Sequence, residues 1–190
     1  MTALRVAVLD ACVLYPVTLR DFLVTLATIR LYEPRWTELV HDEWMRSVLK
    51  NRPDLDQENL QRICRLMDEA LPKALIGEMQ WQASPSPPLP DPGDHHVVSA
   101  AIAARATAIV TFNLRDFPAE VLHPLGITAV HPDAFVAELL RENSAGVLAG
   151  FELQRARFRN PPRSRAELLE ILEKRGLADT VSGLRRLFNS

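Results

Sequence analysis

Cysteine and long apolar runs are both scarce in this chain, and each shortage excludes a class of protein. Cys12 and Cys64 are the two cysteines in 190 residues, and they lack the spacing of metal ligands. We therefore expect reduced thiols rather than a disulfide scaffold. No run reaches the roughly 18 apolar residues that span a bilayer, and the opening MTALRVAVLD lacks the layout of a secretion signal. These absences predict a cytoplasmic protein without membrane association.

A strong charge of one sign is also lacking, since the net charge is −2. With 47% hydrophobic residues, a chain of this length can bury one good core, so we expect one domain plus an appendage. Residues 1–140 carry 12 Lys and Arg against 18 Asp and Glu, whereas residues 141–190 carry 10 against 6. We therefore predict an acidic domain over 1–140 and a basic helical C-terminal extension over 141–190.

Strand and helix patterns alternate through the first of these regions. A short β-branched run, RVAVLD, predicts a buried strand that ends at Asp10. Periodicity, caps and prolines then predict three helices: one capped by Thr18 with Asp21, one after Pro34 with Thr37 as N-cap, and one from Asp56 to Leu71. The apolar stripe of the second helix is Leu39, Val40, Trp44 and Val48. A short strand at 74–76, a stiff loop at 83–93, a helix from Asp94, the strands TAIVT and ITAV, and a helix after Pro132 are predicted to follow.

This alternation predicts an α/β fold in three layers, with a central parallel sheet between helices. The working site of such a sheet lies at the carboxyl ends of its strands, where Asp10 and the turn from Asn113 to Asp116 fall. Beyond residue 141 only helices are predicted. The break Asn160-Pro161-Pro162 divides them, Ser164 and Glu167 form a capping box, and Gly176 ends the helix that follows.

Four carboxylates fall at element ends or on the inward flank of a helix: Asp10, Glu43, Asp94 and Asp116. Each also has an ordinary explanation, respectively a turn, a pair with Arg46, a helix N-cap and a second turn. Asp42 and Asp91 are rivals for two of the positions. Chance explains the joint placement poorly, and convergent carboxylates suit Mg²⁺ or Mn²⁺, which can activate water for phosphodiester hydrolysis.

Four motifs carry a family resemblance over about residues 5–140: VLDACVLYP, HDEW, LPDPGDHHVVSAAIAARA and IVTFNLRDFP. In this order they resemble the PIN-domain nucleases, and among these the VapC toxins of bacterial toxin–antitoxin pairs. The resemblance implies a PIN-like fold and an RNA-cleaving site, with Mg²⁺ or Mn²⁺ held at Asp10, Glu43, Asp94 and Asp116. Asn113 resembles an auxiliary polar position near the metal, Thr111 is a candidate to orient it, and Asp91 is a substitute for Asp94.

The mechanism inferred from this resemblance has Asp10, Asp94 and Asp116 coordinating the metal directly or through water. Glu43 would hold or deprotonate the attacking water, and the product would carry a 5′-phosphate. The resemblance also implies a homodimer and a cognate antitoxin that blocks the site.

The histidines, the tryptophans and the arginines of the tail indicate a functional site less strongly than the four acids do. His95 and His96 point about 100° apart on a helix, so we expect surface or supporting positions rather than joint metal ligands. Trp36, Trp44 and Trp81 are expected in the core or a subunit contact. The basic tail offers possible RNA contacts at Arg155, Arg157 and Arg159. A solvated face, or packing of the tail on the core or on a partner, would also explain its sequence.

Two other functions remain open at this point. A haloacid-dehalogenase-like phosphatase also has an aspartate after its first strand, but its second aspartate would stand where this chain has Cys12. A catalytically silent PIN-like module that binds RNA or protein is the non-enzymatic alternative. No G-x-G-x-x-G follows the first strand, which disfavours a dinucleotide oxidoreductase.

Overall fold

A four-stranded parallel sheet is the centre of the computed structural model, which describes residues 4–189. Its strands are β1 (Val6–Leu9), β2 (Glu33–Arg35), β3 (Ala108–Val110) and β4 (Thr128–Val130), in the order β2-β1-β3-β4. Val8 pairs with Arg35 on one side and with Ile109 on the other. Both Val8 and Ile109 are fully buried, as expected for central strands covered on both faces. The predicted α/β architecture is confirmed.

Eleven helices are assigned within residues 4–189. They are α1 (Ala11–Leu14), α2 (Val17–Thr28), α3 (Glu38–Asn51), α4 (Gln57–Ala70), α5 (Glu78–Gln82), α6 (His95–Ala103), α7 (Ala119–Leu122), α8 (Pro132–Glu142), α9 (Ser144–Arg157), α10 (Arg165–Lys174) and α11 (Ala178–Phe188). Three-residue 3₁₀ turns lie at Pro92–Asp94, Leu114–Asp116 and His123–Leu125. In this part of the chain, no helix is both long and apolar enough to cross a bilayer. Residues 1–3 and 190, at the ends of the two predicted regions, lie outside the described residues.

Several predicted element boundaries are wrong. The helix assigned to a Thr18–Asp21 cap begins earlier, with Pro16 as N-cap, so Thr18 lies inside α2. Strand β2 was missed because it has three residues with a proline in the middle, which an edge strand tolerates. The strand expected at 74–76 is a single bridge from Leu75 to Trp36. Leu39 is exposed rather than part of the buried stripe of α3.

Helix α3 is fixed by its cap and by a buried polar network. The Thr37 hydroxyl accepts the Val40 N–H, as predicted for an N-cap. Trp44 Nε1 donates to His41 Nδ1 at 3.1 Å, so His41 Nε2 carries the ring proton and donates to Asp68 Oδ1 at 3.2 Å. Burial lowers the pKa of His41 and so favours the neutral ring that this pattern requires.

The C-terminal helices share the core of the sheet domain. The Asp133 carboxylate on α8 accepts the backbone N–H groups of Asp179 and Thr180 at 2.9 Å each, which ties the start of α11 to α8. Helix α9 packs against α2, where a Cβ at Gly150 would lie 2.6 Å from Leu26 Cδ2. The core that contains β1 and β3 therefore extends continuously into residues 141–189.

Candidate active site

Neighbouring strands β1 and β3 place Asp10 and Thr111 side by side. Each residue directly follows its strand, and Leu9 pairs with Val110 in the sheet, so both side chains emerge at the same edge. The Thr111 hydroxyl donates to Asp10 Oδ2 at 2.7 Å, and the Cys12 thiol donates to the same oxygen at 3.0 Å. Asp10 is only 5% exposed, and the two donors fix the orientation of its carboxylate. An aspartate that merely begins a turn does not need this support.

Two helices bring further carboxylates to this edge. Glu43 on α3 is half-buried, and its Oε1 lies 3.0 Å from His96 Nε2. Asp94 holds the N-cap position of α6, yet its side chain makes no hydrogen bond to that helix. Asp91 is instead a structural cap, because it accepts the Gly93 N–H at 2.8 Å. The capping explanation therefore fits Asp91 and not Asp94.

A cavity of about 440 Å³ joins three of the four predicted acids. Its lining consists of Asp10, Ala11, Cys12, Tyr15, Glu43, Ser47, Asn51, Asp94 and Asn113. Asp116 is half-buried and lies outside this lining, but its charge reaches Asp94. Asp42, the rival of Glu43, is exposed and lines a different groove beside Asp68. The structure thus brings Asp10, Glu43 and Asp94 together, with Asp116 nearby.

The electrostatic signature of this cluster is the raised pKa of Asp94. Burial, followed by the charges of Asp10, Asp91, Asp116 and Glu43, raises the pKa of Asp94 to about 7. Like charges gathered in one place disfavour full ionisation, so the cluster retains a proton near neutral pH. A divalent cation would relieve the same repulsion by displacing that proton.

The donor set of the cavity suits a hard divalent cation. Carboxylate and amide oxygens are ligands that Mg²⁺ and Mn²⁺ accept, and Asn113 adds an amide to the acids. Burial together with the Asp10 carboxylate raises the pKa of the Cys12 thiol to about 12, so this sulfur remains protonated and does not provide a soft thiolate ligand. Within residues 4–189, no three His, Cys, Asp or Glu side chains already stand in metal-binding geometry. The acids would have to draw together around the ion.

Some neighbours of the acids were not anticipated from the sequence. Tyr15, Ser47 and Asn51 line the cavity. Ser47 and Asn51 lie four and eight residues after Glu43 on α3, a helical spacing that could have revealed them. Thr111 was expected to orient Asn113, and its Oγ1 does accept the Asn113 N–H at 2.9 Å while donating to Asp10.

The basic tail makes intramolecular contacts at two of its three predicted RNA-binding positions. Arg155 pairs with Glu152 at 2.7 Å, and Arg157 donates to Asp21 at 2.9 Å. Arg159 is exposed. RNA binding by these arginines stays a prediction, and for Arg155 and Arg157 it would compete with existing ion pairs.

The histidines and tryptophans lie mostly in the positions that the sequence predicts. His96 is buried rather than at the surface, which gives it the supporting position that was the other expectation. Trp36 and Trp44 are fully buried in the core, and Trp81 is half-buried against His96.

Comparison with known proteins supplies the family. Residues 6–115 match the PIN domain model, and residues 132–186 match the model of the VapC50 C-terminal domain. A protein of Mycobacterium tuberculosis (strain ATCC 25618 / H37Rv) described as "Putative ribonuclease VapC50" is 36% identical over 100 residues, which are 51% of this chain and 57% of that protein. The chain thus matches little more than half of that relative's length, and no solved structure matches significantly. Because the PIN domain match covers more than half of the chain, this chain belongs to the PIN-domain family.

Proposed function

We propose that this protein is an endoribonuclease that depends on Mg²⁺ or Mn²⁺. The observation that carries the proposal is the convergence of Asp10, Glu43 and Asp94 from three separate elements on one cavity, with the Asp94 pKa raised to about 7. Structural carboxylates are usually paired with cations or used as caps, whereas these repel one another. Family membership and the name of the mycobacterial relative support RNA as the substrate.

The proposed mechanism divides the work among the acids. A bound cation would neutralise phosphate charge and lower the pKa of water near the scissile bond. Asp10 and Asp94, with Asp116 directly or through water, would hold that cation. Glu43 would position or deprotonate the attacking water, and the product would carry a 5′-phosphate. Thr111 keeps Asp10 oriented throughout by its hydrogen bond to Oδ2.

Neutral polar side chains line the same cavity as the acids, and we assign Ser47, Asn51 and Tyr15 to contacts with the RNA strand. Glu43, Ser47 and Asn51 follow one another along one face of α3, with about 6 Å of helix rise between successive members. Hydroxyl and amide groups can hydrogen-bond to ribose, to base edges and to phosphate oxygens. Tyr15 adds a ring on which a base can stack.

We further propose that the protein acts in the cytoplasm as the toxin of a toxin–antitoxin pair. The match of residues 132–186 to the VapC50 C-terminal domain supports this proposal, because the mycobacterial relative is described by the same VapC50 name. The cognate antitoxin would block the carboxylate cavity, and the toxin would be a homodimer.

The two alternatives predict different properties of the site. A haloacid-dehalogenase-like phosphatase requires an aspartate where Cys12 stands, and the Cys12 thiol donates to Asp10 rather than acting as an acid. A catalytically silent module has no need for three mutually repelling carboxylates around one cavity, so the site favours the enzyme.

The test is an RNA cleavage assay with purified protein free of any bound antitoxin. Structured RNAs are incubated with Mn²⁺ or Mg²⁺, and with EDTA as the metal-free reference. We expect metal-dependent cleavage that Asp10→Asn lowers at least about 100-fold, because this substitution removes a charge that holds the cation. Asp42→Asn, an exposed carboxylate one residue from Glu43, is the matched control and should cleave like the wild type.

Cleavage that persists in EDTA or in Asp10→Asn would contradict the proposed site. Failure of the wild type to cleave any RNA, while it still binds RNA, would favour the silent module.

A further inference from the structure

A chain of three side chains leads from the start of α3 to the carboxylate cavity. Thr37 Oγ1 lies 3.0 Å from His96 Nδ1, and His96 Nε2 lies 3.0 Å from Glu43 Oε1. Thr37 is fully buried and His96 is 5% exposed, so water does not compete effectively for these contacts. The Trp81 ring packs edge-on against the imidazole, with 6.2 Å between ring centroids.

The contacts among Thr37, His96 and Glu43 indicate where the protons of the imidazole lie. An ionised Glu43 accepts but cannot donate, so the 3.0 Å contact requires a proton on His96 Nε2. If the ring is neutral, its Nδ1 then carries a lone pair and needs a donor. The Thr37 hydroxyl can supply it, because its oxygen already accepts the Val40 N–H at 3.2 Å through a lone pair and keeps its own proton for Nδ1.

We propose that His96 is a positioning residue for the proposed nuclease reaction. The N-cap threonine of α3 holds its imidazole in the tautomer with the proton on Nε2, and this N–H fixes Glu43 by its Oε1 atom. The other carboxylate oxygen, Oε2, is thereby presented to the cavity, where water or a cation would contact it. This inference rests on the proposed function for its kinetic consequence, whereas the tautomer is a property of the protein alone.

The arrangement links catalysis to helix initiation. The Thr37 hydroxyl accepts an N–H group in the first turn of α3, the helix that carries Glu43. The same hydroxyl contacts Nδ1 of His96 and thereby selects the tautomer of the ring that orients Glu43. Asp94 is the N-cap residue of α6, and His96 lies two residues later in its first turn. Movement of α6 relative to α3 would therefore disturb a carboxylate of each helix at once.

Substitutions at residue 96 separate the two ends of the imidazole. Glutamine places an amide N–H close to the position of Nε2 and retains the donor to Glu43, whereas asparagine mimics the Nδ1 side and reaches only Thr37. We expect His96→Asn and His96→Leu to lower kcat roughly 10- to 100-fold, the range found for residues that orient a metal-site ligand, with little change in KM. We expect His96→Gln to recover most of kcat. The half-buried neighbour His95 is the matched control, and His95→Asn should retain wild-type kcat.

Equal kcat values for His96→Asn and His96→Gln, at equal melting temperatures, would overturn the positioning role. So would a loss that appears in KM alone.

A second measurement does not depend on activity. NMR of protein labelled with ¹⁵N-histidine should show His96 with a protonated Nε2 and an unprotonated Nδ1 in the wild type and in Thr37→Ser. Thr37→Val, which removes the hydroxyl but nearly keeps the shape, should lose this single tautomer. A proton on Nδ1 in the wild type would overturn the proposal. If the wild type cleaves no RNA, the proposed function fails, while the tautomer result still decides whether Thr37 controls His96.

Discussion

Asp94 shows how the meaning of one residue depends on its neighbours. By sequence it is a good N-cap for the alanine-rich helix α6, but its carboxylate leaves the helix uncapped and lies in the cavity with Asp10 and Glu43. The surrounding acids and partial burial raise its pKa to about 7. A group whose pKa rises on folding stabilises the fold when protonated, and this contribution is complete below its unfolded pKa and is lost as the pH rises through 7.

Metal-free stability should therefore respond to pH through Asp94. In EDTA, we expect Asp94→Asn to melt at a higher temperature than the wild type at pH 8, because the wild-type carboxylate is then ionised among like charges. The advantage should be smaller at pH 5, where the folded wild type is protonated, and should disappear only below about pH 4, where the unfolded carboxyl is protonated as well. Because Asp94 is half exposed and screened, the effect should be on the order of 1 kcal/mol, roughly 2–4 °C. Equal differences at both pH values in thermal melts, with Asp42→Asn as control, would contradict the raised pKa.

Residue identities at the site were predictable only in part from sequence. Glu43 was preferred to Asp42 because it lies beside the apolar stripe of its helix, and the structure places it on the cavity. The supporting contacts were not predictable, because Cys12 and Thr111 stand 99 residues apart and meet only through the pairing of β1 with β3. Tyr15 lies within the motif VLDACVLYP, but nothing in the local sequence shows that its side chain lines the cavity.

At the scale of elements, predicted caps located some helix starts but not all of them, since Thr18 and Asp21 lie inside α2. Thr37 and Asp56 begin α3 and α4 as predicted, and the Ser164–Glu167 capping box begins α10. Short elements were less predictable, because strand β2 has only three residues and gains its identity from pairing with β1. Local sequence cannot report such pairing.

Asp133 provides a test of how one element is attached to another. Its carboxylate accepts two backbone N–H groups at the start of α11, so Asp133→Ala would leave buried donors without partners. We expect the free energy of unfolding to fall by roughly 1–3 kcal/mol. Chemical denaturation would measure this, with the exposed Ser182→Ala on α11 as control. An unchanged unfolding midpoint would show that α11 is held by apolar contacts alone.

At the scale of the whole molecule, the charge difference between the two regions did not indicate how they are joined. The basic tail was predicted as an appendage, yet Val147 and Phe151 of α9 and Leu184 of α11 are fully buried in the common core. Arg5, near the start of β1, also pairs with Glu138 and Glu142 on α8. The net charge of a segment describes its exposed surface, and it does not show which part of the protein the segment's apolar residues pack against.

Truncation after Glu142 should therefore abolish the native state. Removing α9, α10 and α11 would expose the apolar faces of α2 and α8 that they cover. We expect the shortened chain to aggregate or to lose its near-UV circular dichroism. A monomeric truncated protein that keeps native near-UV signals and melts cooperatively would show that residues 1–142 form an independent domain.

We propose that the carboxylate cavity binds a divalent cation, and titration of Mn²⁺ followed by electron paramagnetic resonance measures this binding directly. We predict that the wild type and Asp42→Asn bind Mn²⁺ with the same affinity, because Asp42 faces a different groove. Asp10→Asn and Asp94→Asn should each bind at least about 10-fold more weakly, since each removes one charge from the site. Equal binding by all four proteins, or no binding by the wild type, would contradict the claim.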